Sequence, residues 1–232
     1  MRIAVTRPEE DASVLGAKLE AMGHEVIAAP MLSIRPRRDA VIPELAYQAI
    51  AVTSANGIRA LARPDQLKSF RVLTVGQQSL AAANTLGLAA EAHGGDVNGL
   101  AAFIRAGLDP AAGPILYLSG AETAGDLEGQ LKSAGFDCRR AVLYDAVPSP
   151  TLGQAESAIR QGRLDAVLLY SPRTARIWQG LIAAAGLQDQ SAGVRYFCLS
   201  RNVAAVLPEG CKVQVAASPG EAALLALLEQ IR

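Results

Sequence analysis

Two short runs carry residue types that could do chemistry. Val52-Thr53-Ser54-Ala55-Asn56-Gly57 and Leu169-Tyr170-Ser171-Pro172-Arg173 each end an apolar stretch in hydroxyl or small residues, just where a helical pattern begins. A helix start presents backbone N–H groups with no partner inside the helix, and its aligned peptide dipoles make it electropositive. Gly76-Gln77-Gln78-Ser79 and Ser200-Arg201-Asn202 have the same character. None of the stretches 54–59, 76–81, 171–176 and 200–205 contains an acid, and together they carry Arg59, Arg173, Arg176 and Arg201. Other helix starts supply their own negative charge. Arg7-Pro8 leads into Glu9-Glu10-Asp11, and Ser218-Pro219-Gly220-Glu221 reads as a capping box closed on itself. Ser54 and Ser171 suit the N-cap position, and Pro172 suits the first helical position. Capping is what such residues usually do. The shared lack of acids adds a second reading: Ser54, Gly76, Ser171, Arg173 and Ser200 mark anion sites for a ligand with several negative groups.

Other chemistries find no residues here. There is no Gly-x-Gly-x-x-Gly and no phosphate loop. His24 and His93 are the only histidines, and both sit in turn-like settings, so neither a Ser-His-Asp arrangement nor a zinc site is expected. No metal or cofactor is called for. The 22 basic and 22 acidic residues cancel, which argues against nucleic acid and against a charged membrane surface as partners. Aromatic residues make up only 4%, too few for base-stacking platforms. No apolar run approaches the ~18 residues of a membrane span, and Met1-Arg2-Ile3 runs straight into a strand rather than a signal peptide. Cys138, Cys198 and Cys211 are odd in number and lack ligand-like spacing, as expected for reduced thiols in the cytoplasm.

The elements that must position these helix starts repeat. Ile3–Thr6 reads as a buried strand, 9–22 as an amphipathic helix ended by Gly23, and 25–29 as a second strand. An offset of 112 places Leu15 on Leu127, Leu19 on Leu131, Gly23 on Gly135 and Pro36 on Pro148. "ILYLSGAETAGDLEGQLKSAGFDCRRAVLYDAVP" is thus a second copy of this β-α-β unit, A. The acid-free starts belong to another repeated unit, B, whose copies begin "AIAVTSANGIRAL" and "AVLLYSPRTARIWQGLI". The order is A, B, A, B. Strands alternating with helices of about 10–15 residues imply α/β architecture with parallel sheets. Two packings fit. One makes contiguous domains of 1–110 and 115–232. The other nests the middle B-A pair inside a discontinuous first domain, and the equivalent prolines Pro36 and Pro148 favour it, because they would lie side by side in a two-stranded hinge.

"VTRPEEDASVLGAKLEAMGHEVIAAPMLSI", "VTSANGIRAL", "VGQQS" and "GFDCRRAVLYDAVP" occur in this order along nearly the whole chain. The set resembles the uroporphyrinogen-III synthase family. The resemblance implies two similar flavodoxin-like domains, 1–35 with 150–232 and the inserted 40–145. They would be joined by linker strands 33–39 and 144–151, with the active site in a cleft between the domains. It also implies the reaction: linear hydroxymethylbilane loses water and closes to uroporphyrinogen III, its last pyrrole ring inverted through a spiro intermediate. The implied partner is that linear tetrapyrrole, which carries acetate and propionate groups on every ring, and the implied enzyme is a cytoplasmic monomer without cofactor. Tyr144 matches the family tyrosine credited with helping the hydroxyl leave; a strand tyrosine packed at the hinge is the other reading of that residue. Ser79 matches a Thr or Ser near the cleft. Thr53, Ser54, Gly76 and Ser171 match binding-loop positions, and Arg7, Arg173 and Ser200 complete the expected substrate contacts. The chain departs from the family pattern at Leu199–Ala204, where Ile-Gly-Pro-Thr-Thr-Ala is frequent, and at Ser119, where an arginine is frequent before the glycine. A non-catalytic tetrapyrrole- or anion-binding relative that kept the bilobed cleft is the alternative function.

Overall fold

The computed structural model describes residues 1–218 and 220–230. In chain order the elements are β1 (Arg2–Val5), α1 (Glu9–Ala21), β2 (Glu25–Ala28), β3 (Leu32–Pro36), β4 (Ala49–Val52), α2 (Ala55–Arg59), β5 (Val72–Thr74), α3 (Gln77–Thr85), β6 (Ala90–Ala92) and α4 (Val97–Gly107). They continue with β7 (Ile115–Gly120), α5 (Leu127–Ser133), β8 (Cys138–Pro148), α6 (Gln154–Arg160), β9 (Ala166–Leu169), α7 (Pro172–Ala184), α8 (Gln188–Ser191), β10 (Arg195–Cys198), α9 (Arg201–Ala204), β11 (Lys212–Val215) and α10 (Glu221–Glu229).

The chain forms two compact units, Met1–Ser33 with Val147–Arg232 and Ile34–Ala146. Each has a mainly parallel sheet covered by helices. The first sheet has the order β11-β10-β9-β1-β2, and the second β3-β8-β7-β4-β5-β6. Read by repeat rather than by chain order, the two agree. In the first, the A strands β1 and β2 precede the B strands β9, β10 and β11; in the second, the B strands β4, β5 and β6 precede the A strands β7 and β8. Apart from the edge strand β3, both sheets therefore show the same flavodoxin-like spatial order. The central strands are apolar on both faces because helices cover both sides: Ala49–Val52 and Ala166–Leu169 are buried at every position.

In both units an A strand meets a B strand at the point where the strand order reverses across the sheet. In the first, β1 pairs with β9, Ile3 opposite Ala166 and Val5 opposite Leu168. In the second, β7 pairs with β4, Leu118 opposite Val52. Outside the carboxyl ends of such a strand pair is where open α/β sheets bind ligands.

The two A copies differ at one place. In the first, β2 and β3 are separate, interrupted at Ala29-Pro30-Met31, because proline cannot donate to a ladder. In the second, Val142 stands at the position of Pro30, and β8 runs through as a single strand. It carries an irregularity instead. Ser119 on β7 faces Val142, but Gly120 faces Tyr144, so Leu143 is an extra residue.

The strands that cross between the units, β3 and β8, are neighbours in the sheet. Arg37 N–H donates to the Leu143 carbonyl at 2.7 Å, and its guanidinium pairs with Asp145 at 2.7 Å. Ser149 N–H donates to the Met31 carbonyl at 2.9 Å.

One expected cap is corrected. α10 begins at Glu221 with Gly220 as its N-cap and no side-chain cap bond, so Ser218 and Glu221 do not form a capping box. The Glu221 carboxylate instead meets Lys18 at 2.5 Å and Arg7 at 3.7 Å. Pro219 of that stretch, and Ile231 and Arg232 at the end of the expected 150–232 segment, lie outside the described residues. The Gly94-Gly95 pair forms a turn at positive φ, after which Asp96 caps α4 by accepting from Gly99 N–H at 2.8 Å.

Candidate functional site

The four acid-free helix starts fall where strands end. Ser54, Gly76, Ser171 and Ser200 are the N-caps of α2, α3, α7 and α9, directly after β4, β5, β9 and β10, and no acid occurs in any of the four first turns. Two of the caps use their side chains. Ser54 Oγ accepts from Asn56 N–H at 3.3 Å, and Ser171 Oγ accepts from Thr174 N–H at 3.1 Å while sharing a hydrogen bond with Thr174 Oγ1 at 2.9 Å. Gly76 and Ser200 make no side-chain cap bond. Ser79, in the first turn of α3, is buried.

At the strand reversal of the second unit, Thr53 Oγ1 and the Tyr117 hydroxyl are hydrogen-bonded at 3.0 Å. Thr53 follows β4, and Tyr117 is an inward residue of β7. Burial pushes the Tyr117 phenol up, only partly offset by its bond to Thr53. Tyr117→Phe is expected to cost about 0.5–1.5 kcal/mol, the net worth of one hydrogen bond. Urea denaturation of the two proteins measures it, and an unchanged midpoint would leave Thr53 without a fixed orientation.

The corresponding end of the first unit is already occupied by protein groups. Thr6 Oγ1 donates to the Leu168 carbonyl at 2.6 Å. The Arg7 side chain, 15% exposed, lies 2.5 Å from Asp11 and 3.7 Å from Glu221, with its guanidinium carbon 4.7 Å from the centre of the Tyr170 ring. Arg7 is thus held by two carboxylates and an aromatic face. Burial raises the Tyr170 phenol above its ordinary range. Arg173 is half-buried in the first turn of α7.

Tyr144 is brought to the end of β7 by the extra residue in β8. Side chains alternate along a strand, so with Ala141 and Leu143 on the apolar face shared with Ile50 and Val52, Tyr144 would turn to the opposite face. The bulge instead puts Leu143 and Tyr144 in the same cluster. The Tyr144 side chain is 6% exposed. Its carbonyl accepts from Ala121 N–H at 2.9 Å. Arg140, four residues earlier on β8, fixes the same strand end: Nε donates to Ser119 Oγ at 2.8 Å, and Nη2 donates to the carbonyls of Gly120 at 2.8 Å and Ala121 at 2.9 Å. The serine that replaces a frequent arginine in the sequence pattern therefore has a guanidinium bound to it from the next strand.

Sequence reasoning passed over Tyr117, Arg140 and Gly120. Tyr117 and Arg140 read as ordinary strand positions, and only the pairing of β7 with β4 and β8 reveals their partners. Among the described residues no three His, Cys, Asp or Glu side chains gather into a metal site. The three thiols are unpaired, and burial pushes those of Cys138 and Cys198 up to about 11 and about 12. No helix among the described residues is long and apolar enough to cross a membrane.

The sequence matches the family described as uroporphyrinogen-III synthase HemD over residues 13–226. Among curated proteins none matches it. Solved structures that share its fold include two of the same family name. The uroporphyrinogen-III synthetase of Helicobacter pylori superposes with a TM-score of 0.67 at 15% identity, covering 100% of both chains. A mutant uroporphyrinogen III synthase of the extremely thermophilic bacterium Thermus thermophilus gives 0.57 at 17% identity, covering 99% of this chain and 98% of the other.

Proposed function

Because the chain belongs to the uroporphyrinogen-III synthase family and is therefore a hydro-lyase of haem biosynthesis, we propose that Tyr144 and the acid-free helix starts carry its reaction. The observation that carries this reading is the set of four helix starts without an acid, each at the carboxyl end of a parallel strand. A linear tetrapyrrole bearing acetates and propionates needs many such electropositive groups and no single strong one. Thr53, Ser54, Gly76 and Ser79 in one unit, and Ser171, Arg173 and Ser200 in the other, would receive carboxylates through hydroxyl, guanidinium and backbone N–H donors. Arg7 contributes through the shape of its cluster with Tyr170, since its own charge is balanced by Asp11 and Glu221. The enzyme is read as a cytoplasmic monomer acting on a small molecule. Its zero formal charge supports the exclusion of nucleic acid.

The chemistry asks little of acid–base groups. The electron-rich pyrrole of hydroxymethylbilane pushes out its hydroxyl. Tyr144 O–H gives that oxygen a proton, water leaves, and an N-protonated azafulvene and a tyrosinate remain. The methylene carbon of that azafulvene bonds to the substituted α-carbon of the last pyrrole, giving the spiro intermediate. That carbon's bond to its old bridging methylene then breaks, leaving a second N-protonated azafulvene. The methylene of this second azafulvene bonds to the free α-carbon of the same ring and so closes the macrocycle with the last pyrrole inverted. The proton that this second α-carbon loses on regaining aromaticity returns to the tyrosinate and restores the phenol. Since the azafulvene closes unaided to the uninverted type I isomer, the protein's main contribution is orientation.

Enzymatically generated hydroxymethylbilane, with separation of type I and type III products, tests the function. Type III product is expected; type I alone would leave a non-catalytic anion-binding protein. Ser54→Asp and Ser171→Asp test the helix starts. Aspartate caps about as well as serine, so the melting temperature should hold. A negative charge facing the substrate's carboxylates should raise KM several-fold at low ionic strength, and less at high ionic strength because salt screens the repulsion. Unchanged KM in both variants would restrict these serines to capping.

A further inference from the structure

We propose that Gly120 is a positioning residue for Tyr144, the hydrogen on its Cα being what leaves room for the phenol ring in its reactive place. This rests on the reading of Tyr144 as the acid. A methyl group at Gly120 would lie 2.7 Å from Cε2 and Cζ of Tyr144 and 3.1 Å from its hydroxyl oxygen, whereas carbon atoms settle at about 3.5–4.0 Å. Something must therefore move by close to an ångström. The backbone at Gly120 is the less free to do so. Its carbonyl is held by Arg140 Nη2 at 2.8 Å, the next carbonyl is held by the same nitrogen at 2.9 Å, and Ala121 N–H is bonded to the Tyr144 carbonyl at 2.9 Å. The bulge at Leu143 fixes the Tyr144 backbone directly opposite Gly120. The ring, hinged at its own χ angles, is the part that yields.

The arrangement divides the work among three residues. The extra residue in β8 turns the phenol onto the right face of the sheet, Arg140 anchors the strand end, and Gly120 admits the ring edge with its hydroxyl. A misplacement of about 1 Å in a group that must meet a leaving oxygen can cost about 10²-fold in rate. Binding of the substrate's carboxylates elsewhere should be untouched.

Two cycles test this. In the rate cycle, Gly120→Ala is expected to lower kcat ten- to a hundredfold with KM within twofold. Added to Tyr144→Phe it should cost less than a further threefold, because the group it misplaces is already gone. In the stability cycle, Gly120→Ala should lower the melting temperature when Tyr144 is present and leave it unchanged in a Tyr144→Ala background, where the ring has been removed. Full kcat in Gly120→Ala, or losses that multiply in the double variant, would overturn the positioning role. An equal drop in melting temperature in both backgrounds would overturn the contact itself. Tyr144→Phe at full kcat would overturn the acid assignment, and with it any bearing of Gly120 on the rate, while the stability cycle still judges the contact.

Discussion

Tyr144→Phe is expected to lower kcat for type III product about 10²-fold or less, the low end for one general acid, with the fold intact. The ring that remains still fills its place in the apolar cluster with Leu143, Leu118 and Val52. What is lost is the hydroxyl proposed to protonate the leaving oxygen. The effect has an upper bound set by the substrate, since the pyrrole expels hydroxide with little help. KM should stay near its original value, because the proposed carboxylate sites lie on other residues. The measurement is steady-state type III formation alongside thermal unfolding. An unchanged rate would make Tyr144 a packing residue, and a large drop in melting temperature would mean its hydroxyl is structural.

Trp178→Ala should cost about 3–5 kcal/mol of stability, the usual range for emptying a buried large aromatic site. Trp178 lies on the inner face of α7, is 0% exposed, and packs in one cluster with Val167, Leu169, Ile182, Val194 and Tyr196. Its removal leaves a cavity under the helix whose first turn carries Ser171 and Arg173. Weaker substrate binding should accompany the loss. It is the chain's single tryptophan, so fluorescence of the unaltered protein follows the unit formed by the two ends of the sequence. Urea unfolding monitored by circular dichroism compares the variant with its parent. A change under about 1 kcal/mol would mean that the site collapses around the missing ring.

The fold was legible because its signals are local and doubled. Buried apolar strands, a glycine closing α1 at Gly23 and Gly135 closing α5 are short-range patterns, and each appears twice at a fixed offset. The caps were legible for the same reason: Ser171 before Pro172 sets a helix start within four residues. The geometry of Tyr144 was not legible. A bulge is a property of register between two strands, and nothing in Val142-Leu143-Tyr144 announces which residue will be left unpaired. The supposed capping box failed because Glu221 has a better offer from Lys18 and Arg7, which lie over two hundred residues away in sequence. Arg7 illustrates the same limit. Its type suggests a carboxylate partner, and it has two, Asp11 and Glu221, both supplied by the protein.

The shared spatial order of the two sheets hides a difference in time. In the second unit every strand comes from one continuous stretch, so it can fold as soon as that stretch leaves the ribosome. In the first, β1 lies inside its sheet, yet Arg2 waits for Asp165, 163 residues later, before its N–H finds the carboxylate that ends the pair. At about 5–20 residues per second, that wait is roughly ten to thirty seconds. Through it Ile3, Ala4 and Val5 have β2 on one side and an open edge on the other. The inserted unit is thus finished while its host is half made. During synthesis the earliest strand is left with an open edge, although Ile3, Ala4 and Val5 belong inside the sheet between β2 and β9.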